Sequence, residues 1–265
     1  MTPLIYIFIF IFGAIIGSFL NVVIYRMNTG LTLSGRSMCF SCSKKLHWYE
    51  LVPLLSFVIQ KGRCRGCESK ISWQYPIVEF ITGALFVLSA YHFLPASVSL
   101  ISQYSIISTL YLWVVISILV VITVYDIRHK IIPNMCAYLL ALITLLFFIF
   151  NVGIYNIFDP LYRWDLFAGP ILAIPFALLW LASRGRWMGL GDAKLMLGLG
   201  WLLGLYAGIS AVILAFWIGA AAGIILISMK GKRYTMKTEI PFGPFLILGA
   251  LIVLFYGIDV LKLAL

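Results

Sequence analysis

The chain has 265 residues, of which 63% are hydrophobic and 11% are charged, and its formal net charge is +10. This composition excludes an ordinary soluble domain, in which about a quarter of the residues are charged. A basic excess can indicate nucleic acid as a partner, but cytoplasmic loops of membrane proteins also concentrate lysine and arginine. We therefore predict a lipid bilayer as the environment and no nucleic-acid partner.

Runs of about 20 apolar residues recur along the chain, and each is long enough to cross a bilayer. They predict an all-α polytopic membrane protein with eight transmembrane helices, at residues 3–25, 77–94, 104–125, 131–150, 166–182, 195–205, 207–229 and 242–261. The first lacks the basic start and the cleavage site of a signal peptide, so we expect it to be retained. Residues 195–229 contain no charge, and one helix of that length would reach about 50 Å, so we expect a turn over residues 204–208.

The basic residues predict on which side of the membrane each loop between these helices lies. If the loop between helices 1 and 2 is cytoplasmic, all but two of the 19 lysines and arginines lie on the cytoplasmic side, the exceptions being Arg163 and Lys262. This agrees with the positive-inside rule. It predicts that both termini lie outside and that Asp126 and Asp192 lie at the cytoplasmic face.

The polar loop of residues 26–75 holds four of the five cysteines, Cys39, Cys42, Cys64 and Cys67. Two Cys-x2-Cys pairs with 21 residues between them predict a tetrahedral Zn²⁺ site, although the gap slightly exceeds the usual spacing. A redox pair or an iron site are the alternatives. Four thiolates leave no open position for a catalytic water, so the zinc would be structural. Cys136 stands alone and is predicted to be a packing residue.

Asp126 and Asp192 are two of only nine acidic residues, and each lies at the end of a predicted membrane helix. Ionisable groups at membrane depth are costly and usually functional. Peptide hydrolysis by two carboxylates needs one protonated and one ionised group that share a water. We therefore predict an aspartic peptidase. The alternatives are an N-cap for Asp192, a salt bridge from Asp126 to Arg128 or Lys130, and a transporter with the aspartates as an ion relay.

The chain resembles the bacterial type IV prepilin peptidases. The motifs that carry this resemblance are residues 17–21 (GSFLN), 36–42 (RSMCFSC), 47–50 (HWYE), 62–67 (GRCRGC), 75–79 (YPIVE), Asp126 with 132–134 (IPN), 189–195 (GLGDAKL) and 242–245 (FGPF). The resemblance implies an endopeptidase of the bacterial inner membrane that removes the basic leader of prepilins or pseudopilins after a glycine, at the cytoplasmic face. It places Asp126 and Asp192 at the catalytic positions.

The same resemblance implies a second activity. Members with a four-cysteine zinc loop typically N-methylate the new N-terminal residue, usually phenylalanine, with S-adenosylmethionine. Glu50 and Glu79 are our candidates for contacts with this methyl donor. The expected domains are the first transmembrane helix (residues 1–25), the zinc loop associated with methyl transfer (26–75) and a seven-helix peptidase domain (76–265).

Overall fold

The structure is a computed structural model that describes residues 3–30, 32, 35–95, 102–153, 156, 159, 162–228 and 240–260. Regular structure in these ranges is helical, apart from isolated bridges within residues 38–70. The helices are α1 (Pro3–Arg26), a 3₁₀ turn (Trp48–Glu50), α2 (Leu55–Ile59), α3 (Gln74–Phe93), α4 (Gln103–His129), α5 (Asn134–Val152), α6 (Arg163–Leu166), α7 (Ala168–Ser183), α8 (Leu190–Leu203), α9 (Leu205–Ser228) and α10 (Gly243–Tyr256).

Several of these helices suit a bilayer. Among the described residues, α1, α3, α4, α5 and α9 are long and apolar enough to cross a membrane, while α7 and α10 are apolar but shorter. The prediction of a polytopic helical membrane protein is confirmed at this level. The number of eight membrane crossings stays a prediction, because α7, α8 and α10 have only 14 to 16 residues each, fewer than the five long helices.

The turn expected in the long apolar stretch lies at Gly204. This residue has a φ of +79°, which glycine adopts without strain, and it separates α8 from α9. The Asp165 carboxylate accepts a hydrogen bond from the Leu205 N–H at 2.9 Å. The start of α9 is thereby fixed to the short helix α6.

The chain divides into two compact units, Met1–Val121 and Ile122–Leu265. In the first unit, α1 and α3 pack very closely. A Cβ on Gly13 would lie 2.8 Å from the Gly83 Cα, and a Cβ on Gly17 would lie 2.8 Å from the Glu79 Cα. Membrane helices commonly approach through such small residues, because lipid supplies no hydrophobic force to join them.

In the second unit, α8 packs against α5, α7, α9 and α10. Its glycines again permit close contact. A Cβ on Gly198 would lie 2.6 Å from the Leu140 Cγ on α5, and a Cβ on Gly200 would lie 2.7 Å from the Gly169 Cα on α7. Because α8 is surrounded by these neighbours, the position of its first turn, which carries Asp192, is well defined.

Candidate active site

Asp126 lies near the end of α4, and 4% of its surface is exposed. The helix stops three residues later, and Lys130 turns the chain with a φ of +54°. The Asp126 carboxylate accepts a hydrogen bond from the backbone N–H of Gly243, the first residue of α10. The first N–H groups of a helix have no partner within it and favour an anion. The start of α10 therefore holds this carboxylate.

Asp192 is the third residue of α8, and 8% of its surface is exposed. Gly189 occupies the N-cap position, so the alternative that Asp192 is the N-cap is wrong. The neighbouring Gly191 lies against the segment that follows α4, since a Cβ there would be 2.9 Å from the Ile132 Cβ. This close approach places Asp192 beside the end of α4.

The two aspartates lie in the same unit and share a neighbour. The buried Ile132 side chain touches the Gly191 backbone beside Asp192, and its Cδ1 would lie 3.2 Å from a Cβ on Gly243, which holds Asp126. Asp126 and the residue that directly precedes Asp192 therefore flank the same side chain. The structure therefore brings the two predicted catalytic residues together.

A hydrogen bond joins the helix starts on either side of this pair. The Lys194 Nζ donates to the Asn134 Oδ1 at 2.8 Å and lies 5.5 Å from the centre of the Tyr138 ring. Asn134 begins α5, and Lys194 lies two residues after Asp192 in α8. The contact fixes the chain after Asp126 against the helix that carries Asp192.

The four cysteines of the loop form a compact cluster. The Sγ atoms of Cys39, Cys42, Cys64 and Cys67 all lie within 4.8 Å of one another, and those of Cys39 and Cys67 are 3.8 Å apart. Zn–S bonds of about 2.3 Å in a tetrahedron require S–S distances of roughly 3.8 Å. The cluster fits a tetrahedral metal ion.

The two cysteine pairs repeat one backbone path. Ser43 and Glu68, which follow the second cysteine of each pair, have φ values of +55° and +57°. Each pair is closed by an isolated bridge, Met38 with Lys45 and Arg63 with Lys70, so that each position recurs after 25 residues (63 − 38 and 70 − 45). This duplication was not evident from the sequence beyond the two Cys-x2-Cys pairs.

Glu50 and Glu79 both hold the segment between residues 47 and 54. The Glu50 carboxylate accepts hydrogen bonds from the His47 N–H at 2.9 Å and from the Lys44 Nζ at 3.3 Å. The first of these is the main reason why the pKa of Glu50 lies below its usual range. The Glu79 carboxylate accepts a hydrogen bond from the N–H of Leu54 at 2.8 Å, and Leu54 has a φ of +62°.

Comparisons with known proteins cover both units. The bacterial peptidase A24 N-terminal domain matches residues 11–93, and the type IV leader peptidase family matches residues 113–224. Curated relatives named prepilin leader peptidase/N-methyltransferase include those of Bacillus subtilis (31% identity over 96% of this chain and 95% of the relative) and Legionella pneumophila (29%, over 97% and 93%). No solved structure gives a significant match.

The chain belongs to the type IV leader peptidase family. The N-terminal match contains the four cysteines, Glu50 and Glu79, and the second match contains Asp126 and Asp192. Gly243 lies beyond both matches, and the sequence analysis used it only as part of the motif at residues 242–245, without a contact to Asp126. The available signal was the Gly-Pro pair at a helix start, where free N–H groups are expected.

Lys194 and Asn134 provide a test of how this family's site is positioned. We expect Lys194→Met and Asn134→Ala each to lower kcat/KM for leader cleavage by about tenfold, because a lost charged hydrogen bond is worth about 1.5 kcal/mol. The double variant should be no worse than either single variant, because both remove the same contact. Steady-state kinetics with a purified prepilin would measure this.

Arg186→Met is the matched control, since Arg186 is an exposed base between α7 and α8. It removes the same charge without removing the contact with Asn134, and we expect it to keep full activity. Fully additive losses in the double variant would show that Lys194 and Asn134 act separately.

The cysteine cluster can be tested by metal content. We expect Cys42→Ala to reduce bound zinc in the purified protein at least about tenfold, because a tetrahedral site with three thiolates is much weaker. Cys42 is exposed, so little packing is lost. Cys136→Ala, which changes the buried cysteine outside the cluster, should keep the zinc. Equal metal content in the two variants would contradict the four-cysteine site.

Proposed function

We propose that this protein is a membrane aspartic endopeptidase that cleaves the leader of type IV prepilins or pseudopilins after glycine, and then N-methylates the new N-terminal residue. The observation that carries the proposal is the pair of buried aspartates in the second unit. Family membership and the names of the relatives agree with both activities. They give the transporter alternative no support.

The peptidase chemistry follows from the different surroundings of the two carboxylates. The start of α10 lies against the Asp126 carboxylate, and the free N–H groups of a helix start favour an anion there, so we assign the ionised form to Asp126. Two carboxylates held close together do not both ionise readily, so Asp192 retains the shared proton. Asp126 then takes a proton from the attacking water, while Asp192 donates a hydrogen bond to the scissile carbonyl.

The place of this pair in the chain suits a prepilin, which is a basic leader followed by an apolar helix. We place the apolar helix of the substrate in the bilayer, so that the leader junction reaches the cytoplasmic interface. The topology that we propose has eight crossings, residues 26–75 in the cytoplasm and both termini outside, in the bacterial inner membrane. The distribution of lysine and arginine supports this orientation.

For the second activity we propose that residues 26–75 form a structural Zn²⁺ loop for methyl transfer, ahead of a peptidase domain at residues 76–265. Bound S-adenosylmethionine would supply the activated methyl group. A carboxylate has about four acceptor sites, so Glu50 and Glu79 could each accept a further hydrogen bond from the methyl donor besides their contacts in the loop. In the structure both residues hold the loop, and the Glu50 side chain has no exposed surface, so their contact with the methyl donor stays a proposal.

The test is the intact mass of a prepilin expressed with this protein in a host that lacks its own leader peptidase. We expect loss of the leader and a further gain of one methyl group. A cleaved but unmethylated product would remove the second activity only. An untouched substrate, tried over several prepilins and pseudopilins, would overturn the proposed function.

A further inference from the structure

One groove in the first unit lies next to the second cysteine pair in the chain and is not used by the proposed chemistry. It is an open groove of about 590 Å³ between α2 and the start of α3. Its wall is apolar and includes Leu54, Phe57, Val58 and Trp73. Val58 and Trp73 are 71% and 70% exposed, which is unusual for side chains of this type unless something covers them.

Three basic residues, Lys61, Arg63 and Lys70, line the same groove. In the part of the chain that the structure describes, none of them forms an ion pair, since the one salt bridge found there joins Lys44 to Glu50. No acidic residue lines the groove. The groove therefore combines three unneutralised positive charges with a long apolar wall.

We propose that this groove binds an anionic phospholipid, with the phosphate at the three basic side chains and an acyl chain along the apolar wall. The groove also includes Pro76, which lies in the first turn of the candidate membrane helix α3, and a crossing by α3 would place the groove at the bilayer surface. A free phosphate would use the charges but leave the wall exposed. S-adenosylmethionine carries one carboxylate but also a sulfonium and an ammonium group, so its net charge is positive and three neighbouring cations disfavour it.

Each basic residue near an anionic lipid surface contributes about 1 kcal/mol, which is roughly fivefold in affinity. A bound lipid would therefore hold α2 and the second cysteine pair against the membrane surface. The bound lipid would fix the distance between the polar loop and the bilayer surface. The zinc ion would not do this, because it only joins the two cysteine pairs to each other.

The duplicated cysteine pairs provide a matched test. Lys61 and Lys70 correspond, 25 residues earlier, to Arg36 and Lys45, and neither counterpart lines the groove (61 − 25 = 36 and 70 − 25 = 45). We would compare the double variants Lys61→Glu/Lys70→Glu and Arg36→Glu/Lys45→Glu, which change the net charge equally. Binding of phosphatidylglycerol and of phosphatidylcholine to the full chain in detergent would be measured by native mass spectrometry, and zinc content would confirm that the loop is folded.

We expect the wild type to prefer phosphatidylglycerol, the groove variant to lose this preference by at least about tenfold, and the control variant to keep it. Val58→Gln should weaken binding of the lipid but not of inorganic phosphate. The proposal is overturned if both double variants lose binding equally, if inorganic phosphate displaces the lipid and Val58→Gln has no effect, or if S-adenosylmethionine displaces it.

Discussion

Asp126→Asn and Asp192→Asn should each reduce leader cleavage on the order of 10⁴-fold or more, because the two carboxylates act as one unit around a single water. An amide can neither take the proton of the water nor carry the shared proton. The rate would be measured from the intact mass of a purified prepilin over time, in detergent or in vesicles. The double variant should be no slower than either single variant.

Stability and methylation separate this loss of activity from unfolding. A neutral amide removes the cost of burying an ionisable carboxyl group beside a second one, so we expect a Tm equal to or above that of the wild type. Both variants should still methylate a pilin that already begins with its mature residue. Asp159→Asn, which changes an exposed aspartate of the same unit, should keep full activity. Retained cleavage in either buried variant would contradict the paired mechanism.

The aspartate pair could be predicted from the sequence because carboxylates are rare in such an apolar chain. Asp126 ends one apolar run and Asp192 precedes another, and few physical explanations account for ionisable groups at that depth. The cysteine cluster could be predicted for a similar reason, since Cys-x2-Cys pairs commonly bind metal ions. In both cases the residue type itself carried the information.

The contacts that position this pair could not be predicted from residue type. The contact between Lys194 and Asn134 spans 60 residues, and Ile132 is one of many apolar side chains. Only the packing of α8 against α5 and α10 shows that these positions meet. The number of membrane crossings stays a prediction for a related reason, because the apolar runs at residues 195–205 and 242–261 end after the helices α8 and α10 do.

Gly243→Ala should lower cleavage on the order of 10²-fold while the protein stays folded, because small displacements of a catalytic group have effects of that size. A Cβ at this position would lie 2.6 Å from the Asp126 Oδ2 and 3.2 Å from the Ile132 Cδ1. The start of α10 is held by its packing on α8 and α9, so the carboxylate is the group that must move. Cleavage kinetics and the Tm of the variant would be measured together.

Gly223→Ala in α9 is the matched control, because a Cβ there would meet no heavy atom within 4 Å. It should keep full activity and raise stability by up to about 1 kcal/mol, as alanine is the better helix former. If Gly243→Ala acts through Asp126, it should have no further effect on the residual rate of Asp126→Asn, since the group that it displaces no longer performs the chemistry. A Gly243→Ala variant with wild-type cleavage would show that the start of α10 does not position Asp126. An equal loss in Gly223→Ala would show that added side-chain bulk in these helices, rather than contact with the carboxylate, lowers the rate.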